Sequence, residues 1–389
     1  MAFCVAALSL GAPLLLAGCG KFFVCEGKAS CPSTGNGGGG GTGDTTTDYV
    51  YVSNAAKGST YLSAYDLSAG KLTAITSFPF QLGYIPVALN VAPSNKYLYV
   101  ASIPIASNPG IYRYTIGTDG SLSGGTLLIT AAVSSMDISP DGGFLFAMST
   151  DGRTMNEYQV NTSTGTLALA STFVVGQGLT CALLGTPGSQ SCTVRAAPSG
   201  AFVVVALGTA GDAVFPYTSA SGISANYALI PSGTTTGSPS GDFSVALDGQ
   251  NFAYIARTNA LAVYSLDASG AATLRDSQPY ASGTTPRSAV LSSNGGNVYT
   301  ANEGTGTISG YTIGSRGGLT AITNSPFTGP VSVSALGVDK SGGYLVAAGY
   351  SSSNGVQLFS MGTTGTLSLV DSAGSGTATT YPAVLALTH

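Results

Sequence analysis

The chain of 389 residues repeats one pattern of apolar and polar positions seven times. In each copy an aromatic residue lies in a run that alternates apolar and polar positions, a polar turn with a glycine follows, and a second apolar run comes next. The aromatic residues are Tyr65, Tyr114, Tyr158, Tyr217, Tyr264, Tyr311 and Phe359, and the glycines are Gly70, Gly120, Gly165, Gly222, Gly270, Gly317 and Gly365. Alternation with a period of two predicts β-strands, and each glycine predicts a tight turn. The fixed position of the aromatic residue in each copy predicts that these side chains pack in the core.

A second repeated pattern lies between these copies and consists of an apolar strand, a turn and another apolar strand. Turn dipeptides such as Asp141-Gly142 and Asn294-Gly295 favour two-residue hairpins. Each period therefore predicts four strands. The aromatic positions repeat every 44 residues (Tyr114 to Tyr158) to 59 residues (Tyr158 to Tyr217). A period of this length built from short strands is typical of a β-propeller.

The hairpin pattern has six complete copies, and a seventh is split between the two ends of the chain. Pro382 to His389 has the pattern of its first strand and Tyr49 to Asn54 that of its second. Pairing of these segments would close the ring and remove an open sheet edge, which invites aggregation. The sequence predicts an all-β domain over residues 48–389, a seven-bladed propeller with four antiparallel strands per blade.

Composition narrows the range of partners. The chain has 55 glycines, 20 tyrosines and only 8% charged residues, as expected for short strands joined by tight turns. Its net charge of −4 and its lack of a Lys/Arg stripe exclude nucleic acid as a partner. We expect a monomer without a cofactor.

The first 19 residues predict export and anchoring. Val5 to Leu16 is an apolar run of signal-peptide length that is too short to span a bilayer. It ends in Leu16-Ala17-Gly18-Cys19, which resembles the bacterial lipoprotein box and implies a lipid on Cys19; the alternative is an ordinary secretory peptide. No Lys or Arg precedes Lys21, which suggests a coding start further upstream.

Residues 20–47 are rich in Gly and Thr and predict a flexible tether. Cys25 with Cys31, and Cys181 with Cys192, are candidate disulfides for an oxidising compartment. No further Cys or His pair accompanies them, so we expect no metal site. These features predict a protein outside the inner membrane, periplasmic or on the cell surface, with the membrane as its partner through the lipid.

The repeats resemble a known family. The phrases YVSN, YVAS and YTANEG, and above all the stretch from Thr284 to Ile313, are similar to the seven-bladed lactonase family related to 6-phosphogluconolactonase and carboxymuconate cyclase, and to YVTN-type repeats. That family typically has Pro-Arg-His, a turn, and then Asn-Glu. The chain keeps Pro286, Arg287, Asn302 and Glu303, with Ser288 in place of the histidine.

Hairpin geometry places these residues at one mouth of the channel. With a two-residue turn at Asn294-Gly295, Arg287 would face Asn302 and lie diagonal to Glu303. The same count puts Arg257 of the preceding blade in the position of Glu303. Arg287 and Arg257 would then bind a carboxylate or polarise a lactone carbonyl, Asn302 would contact the ligand, and Glu303 would be the general base.

The alternative is a purely structural ion pair between Arg287 and Glu303. The single histidine, His389, is terminal, so nucleophilic arrangements that need histidine have little support. We therefore favour a tethered binding or scaffolding propeller whose top face binds a protein, a glycan or another envelope component. The second hypothesis is a hydrolase of a sugar or aromatic-acid lactone, unphosphorylated because phosphorylated sugar lactones are cytoplasmic.

Overall fold

Seven four-stranded antiparallel sheets arranged as propeller blades make up the described part of residues 48–389, which confirms the predicted fold class. The computed structural model describes residues 48–56, 59–103, 109–175, 192–235, 238–239, 241–275, 279–350, 355–374 and 381–389. The predicted signal peptide, the tether, Cys19, Cys25 and Cys31 lie outside these residues and stay predictions. Within the described ranges, no helix has the length and hydropathy to cross a membrane.

We number the blades 1 to 7 in chain order and the strands of each blade first to fourth from the channel outwards. The strands are, for blade 1, Leu385–Leu387, Asp48–Ala56, Ser59–Ser68 and Lys71–Ala74; for blade 2, Ile85–Val91, Tyr97–Ile103, Gly110–Ile116 and Leu122–Thr130; for blade 3, Val133–Ile138, Phe144–Ser149, Thr154–Val160 and Leu167–Val174; for blade 4, Thr193–Ala196, Phe202–Ala206, Asp212–Thr218 and Gly222–Ile223; for blade 5, Asp242–Leu247, Phe252–Arg257, Ala260–Leu266 and Ala272–Leu274; for blade 6, Pro286–Leu291, Asn297–Asn302, Thr307–Ile313 and Leu319–Ala321; for blade 7, Val333–Val338, Tyr344–Gly349, Val356–Met361 and Leu367–Ala373.

Smaller elements complete the blades. Four further short strands pair with the third strand of blades 1, 4, 5 and 6: Phe80–Gln81, Ala228–Ile230, Tyr280–Ala281 and Phe327–Thr328. Thr234–Thr235 pairs with Ser238–Pro239, and a 3-10 turn spans Gly208–Ala210. The first strands of neighbouring blades contact one another all the way round, and they therefore form the wall of the channel.

The ring closes between the two ends of the described chain, as predicted. Val50 pairs with Leu387 and Val52 with Leu385 in an antiparallel register. The Thr388 amide donates to the Tyr49 carbonyl at 3.0 Å. Blade 1 is therefore built from both ends, and its second strand has no open edge.

The repeated aromatic residues of the third strands form the core between blades, as predicted. Each of the seven has at most 7% of its surface exposed. Each glycine of the turn that follows has a positive φ of 68° to 84°. Gly120 shows the second constraint on this position, because a Cβ there would lie 2.5 Å from a ring carbon of Tyr49. These turns therefore require glycine for both backbone conformation and space.

The hairpin turns between first and second strands differ from the prediction. In blade 6 the Ser292 amide donates to the Asn297 carbonyl at 2.9 Å, so four residues form the loop rather than two. Side chains satisfy the extra amides, since Asn294 Oδ1 accepts from the Gly296 amide at 2.9 Å. In blade 5 the closing bond runs from Asp248 to Phe252, which leaves a loop of three residues.

Candidate functional site

Arg287 and Glu303 form a buried ion pair at one mouth of the channel. Arg287 lies in the first strand of blade 6, and Glu303 directly follows the second strand. The Nε atom of Arg287 is 2.7 Å from Oε2 of Glu303, and the two side chains are 2% and 5% exposed. Because water screens this buried contact so little, removing either side chain would leave the charge of the other without compensation.

A β-bulge sets the direction of Arg287. Pro286 pairs with Asn302 and Ser288 with Ala301, so Arg287 is the extra residue, and the expectation that it faces Asn302 is wrong. The same shift occurs at this end of the first strands of blades 2, 3, 5 and 7. A bulge re-aims a side chain near a functional mouth, and here it brings Arg287 to Glu303.

Tyr350 completes this cluster and was missed by the sequence analysis. It follows the second strand of blade 7 as Glu303 follows that of blade 6. Its hydroxyl donates to Oε1 of Glu303. Burial, and then the hydrogen bond and negative charge of Glu303, raise the pKa of Tyr350 above its usual range. Tyr350 therefore remains a hydrogen-bond donor at neutral pH.

The backbone around Glu303 is tightly held. The Glu303 amide donates to the Thr285 carbonyl, and the Gly304 amide to the Thr284 carbonyl, both at 3.0 Å. Thr285 has a φ of 53°, which is rare for a β-branched residue. A Cβ on Gly304 would lie 2.3 Å from Oγ1 of Thr284. The strained backbone next to Arg287 is the kind of feature that surrounding structure maintains at functional sites.

Arg257 forms a separate ion pair in blade 5. Its Nε atom is 2.8 Å from Oδ1 of Asp242, and its Nη2 atom donates to the Pro231 carbonyl at 3.0 Å. Arg257 ends its strand at the position of Asn302, not of Glu303, because the turn of blade 5 is one residue shorter. The expected equivalence of Arg257 and Glu303 is therefore wrong.

A third buried acid lies beside this second pair. Asp212 begins the third strand of blade 4, and both Asp212 and Asp242 are fully buried. Burial, and then the negative charge of Asp242, raise the pKa of Asp212 well above its usual range, while Arg257 acts in the opposite direction. Asp212 therefore holds its proton to a higher pH than an exposed aspartate does, and Arg257 pairs with Asp242.

The side chain of Asn302 bonds within its own blade. Its Nδ2 atom donates to the hydroxyls of Thr307 at 3.1 Å and Ser309 at 3.0 Å, and its Oδ1 atom accepts from the Thr300 hydroxyl at 3.2 Å. These bonds hold the mouth of the hairpin. A contact between Asn302 and a ligand stays a prediction.

Ser288, which replaces the family histidine, links two blades. Its hydroxyl accepts from the Leu336 amide of blade 7 at 3.3 Å. Ser244 accepts in the same way from Ala289 at 3.2 Å, and Ser135 accepts from Val194 at 3.1 Å. A serine at this position therefore belongs to a repeated contact between first strands.

A cavity of about 110 Å³ lies inside the channel next to the cluster. Arg287 lines it from blade 6 and Arg195 from blade 4, together with the hydroxyl-bearing Thr193, Ser288 and Ser334. Among the described residues, no carboxylate lines this cavity. Two guanidinium groups in a confined space suit an anion or the oxyanion of a reacting carbonyl.

One of the predicted disulfides involves a residue that lines this cavity. Cys192 also lines it and is disulfide-bonded. Cys181 lies outside the described residues, so their pairing stays a prediction. In the part of the chain that the structure describes, no group of three or more His, Cys, Asp or Glu side chains could hold a metal ion.

A family model described as "Lactonase, 7-bladed beta-propeller" matches residues 252–380. The predicted resemblance to the lactonase family is confirmed. The matched segment of the lactonase-like propeller contains Arg257, Arg287, Glu303 and Tyr350. The matched segment therefore includes the whole Arg287–Glu303 pair but only Arg257 of the second pair, because Asp242 precedes the segment. No curated protein sequence matches the chain.

Solved structures share the fold of this lactonase-like propeller. A candidate 6-phosphogluconolactonase of Bacteroides fragilis has a TM-score of 0.68 at 14% identity, covering 89% of this chain and 99% of that one. A protein of Lactobacillus plantarum has a TM-score of 0.67 at 17% identity, covering 88% and 100%. The periplasmic gluconolactonase of Pseudomonas aeruginosa has a TM-score of 0.63 at 16% identity, covering 86% and 98%.

Proposed function

We propose that the protein hydrolyses a lactone in the channel mouth at blades 6 and 7. The observation that carries this proposal is the buried cluster of Arg287, Glu303 and Tyr350, whose arginine lines the central cavity. The family match and the lactonases among the similar structures favour a hydrolase over the binding or scaffolding module that the sequence alone favoured.

The chemistry assigns a separate task to each side chain. Arg287 donates to the lactone carbonyl oxygen and stabilises the oxyanion that forms when water adds to the carbonyl carbon. Glu303 accepts the proton of the attacking water, and Tyr350 holds the carboxylate in place. The ring C–O bond then breaks, and the alkoxide oxygen takes the proton that Glu303 had accepted, which restores the Glu303 carboxylate. The product is a hydroxy acid whose carboxylate pairs with Arg287.

The proposed substrate is an unphosphorylated sugar lactone or aromatic-acid lactone. The lipoprotein box at Cys19 supports a lipid-anchored protein outside the inner membrane, with residues 20–47 as its tether. The similar Pseudomonas aeruginosa enzyme is periplasmic, which supports the same compartment. A phosphorylated sugar lactone would rarely be present there.

The test measures hydrolysis of glucono-δ-lactone and dihydrocoumarin by pH-stat titration. We expect wild-type turnover above the spontaneous rate, and a loss of about 10²- to 10⁴-fold in Glu303→Gln because the general base is gone. The matched control is Glu157→Gln in blade 3, since Glu157 is also a buried carboxylate that accepts a hydrogen bond, in its case from the Ile223 amide at 2.8 Å. Turnover at background by correctly folded wild type would overturn the hydrolase and favour the binding module.

A further inference from the structure

The opposite mouth of the channel holds a second, larger opening. Two adjoining cavities of about 790 Å³ and 590 Å³ lie at the end of the first strands where the hairpin turns begin. They share Arg195, Ala196, Pro198, Val290 and His389. Volumes of this size accommodate small organic ligands. We call this opening the turn-side funnel.

At one level along the channel axis, the wall of the turn-side funnel has a polar half, formed by three blades, and an apolar half, formed by the other four. The residues at this level occupy the same register. In blades 2 to 7 each pairs with the third residue of the second strand, and in blade 1, whose second strand begins one residue earlier, Ala386 pairs with the fourth residue, Tyr51. Blades 2, 3 and 4 place Asn90, Asp137 and Arg195 there. The other four blades supply only apolar residues, namely Ala246, Val290, Gly337 and Ala386. A ligand with one polar edge and one apolar face would match both halves.

The acids of the turn-side funnel already have partners. Asp137 accepts from Asn90 Nδ2 at 3.0 Å, from the Ile138 amide at 3.0 Å and from the Ala196 amide at 2.9 Å. Asp248 accepts from two amides of its own turn at 2.8 Å and from the Tyr254 hydroxyl at 3.1 Å. These carboxylates hold the first strands and a turn in place and have little capacity left for a ligand.

Arg195 and Asn90 have hydrogen-bonding groups that the described residues leave unused. Among the described residues, the Arg195 guanidinium makes one hydrogen bond, from Nη1 to the Val194 carbonyl at 2.9 Å. Arg195 lines the cavities on both sides of this level. Burial raises the pKa of Asp137, and the charge of Arg195 lowers it, so this cation also acts on the neighbouring acid. The buried Oδ1 atom of Asn90 has no hydrogen-bond partner among the described residues. A guanidinium fork matches a carboxylate, and an amide oxygen matches a hydroxyl donor.

We infer that the turn-side funnel binds a small aromatic carboxylate that carries a hydroxyl group. Its carboxylate pairs with Arg195, its hydroxyl donates to Asn90, and its ring packs on the apolar half around Val290. This binding site lies at the mouth opposite to Arg287 and does not depend on lactone hydrolysis.

The test uses 4-hydroxybenzoate as the probe, with binding to the full chain measured by calorimetry and by saturation-transfer NMR. Two matched compounds separate its features: 4-hydroxybenzamide lacks the charge, and gluconate lacks the apolar face. We expect 4-hydroxybenzoate to bind more tightly than either. Equal affinity for the amide or for gluconate, or no binding of 4-hydroxybenzoate, would overturn the inference.

Variants locate the site. Arg195→Gln should weaken 4-hydroxybenzoate binding about 10- to 100-fold, the factor expected for a lost charge-assisted bond. Val290→Asp should weaken it similarly, because it places a like charge on the apolar half. The control Arg153→Gln removes an exposed cation of blade 3 and should change nothing. Arg195 also lines the cavity at Arg287, so Arg287→Gln is needed as well. Loss of binding in Arg287→Gln with full binding in Val290→Asp would place the ligand at the other mouth and overturn the inference.

Discussion

The hydroxyl of Tyr299 in blade 6 donates to the carbonyl oxygen of Gly365 in blade 7 at 2.7 Å. The same contact joins Tyr51 to Gly120 at 2.8 Å and Tyr99 to Gly165 at 3.0 Å, each time from a second strand to the outer turn of the next blade. Tyr299 is fully buried. The turn glycines therefore serve two purposes, since they allow the turn and expose a carbonyl to the neighbouring blade.

Tyr299→Phe should lower the free energy of unfolding by about 1–3 kcal/mol, because the Gly365 carbonyl would stay buried without its donor. Urea unfolding followed by circular dichroism measures this change. The matched control is Tyr344→Phe at the start of the second strand of blade 7, whose side chain is half-buried. An equal effect of both substitutions would contradict a specific contact between blades.

Ring closure predicts unequal tolerance of two deletions. Removal of Pro382 to His389 takes away the first strand of blade 1 and exposes the edge of its second strand, so we expect aggregation or a large fall in Tm. Removal of Gly20 to Asp44 should do neither, because the predicted tether adds nothing to the blades. Differential scanning fluorimetry and size-exclusion chromatography measure both outcomes. Equal tolerance would show that the ring is stable without this strand.

The repeats were sufficient to predict the blades, the split blade 1 and the buried aromatic residues, because strand periodicity and turn glycines are local signals. The family resemblance singled out Arg287 and Glu303, and the structure places their side chains in contact. The position of Arg287 in a bulge was not predictable, since one inserted residue changes the register without changing the apolar pattern.

Two other features depended on the tertiary structure. Tyr350 reaches Glu303 from the next blade, and no spacing rule within one hairpin reveals such a contact. Arg257 was misplaced because a three-residue loop and a four-residue loop both carry a glycine near the turn. A usable signal did exist for Tyr350, namely that it directly follows its second strand, as Glu303 does.

The buried acids predict how stability varies with pH. The pKa of Asp212 is raised in the folded protein by burial and then by Asp242, so the folded state binds a proton that the unfolded state releases. This contribution is fully present below the unfolded pKa of about 3.9 and is lost as the pH rises through the folded value. Wild-type stability should therefore decline on this account as the pH rises from about 4 towards neutrality.

Asp212→Asn tests this relation because the amide cannot ionise. Its stability should depend less on pH than that of wild type, with the variant relatively more stable at neutral pH. Thermal unfolding across a pH series measures the difference, and Asp44→Asn, in the predicted tether, is the control. A steeper dependence in Asp212→Asn would show that Asp212 is ionised in the folded protein.

Anchoring is tested on the intact chain expressed in a bacterium with a lipoprotein pathway. Cys19→Ala should move the protein from the membrane fraction to the soluble fraction without unfolding the propeller, because lipidation requires the thiol. Cell fractionation and mass spectrometry of the N-terminus measure this. Wild type that is soluble with an unmodified Cys19 would contradict the lipid anchor.

The last prediction separates the structural role of the Arg287–Glu303 pair from its proposed catalytic role. Arg287→Gln leaves Glu303 as a buried charge without its cation, which typically costs about 3–5 kcal/mol of stability. The double variant Arg287→Gln with Glu303→Gln removes both charges, so it should be more stable than Arg287→Gln alone. If the side chains act on a substrate, this regained stability should restore no lactone hydrolysis. Unfolding free energies and kcat/KM measured on the same three proteins test both statements. A double variant that regains turnover together with stability would show that the pair only holds the mouth of the hairpin. A double variant less stable than Arg287→Gln would contradict the conclusion that Arg287 stabilises the charge of Glu303.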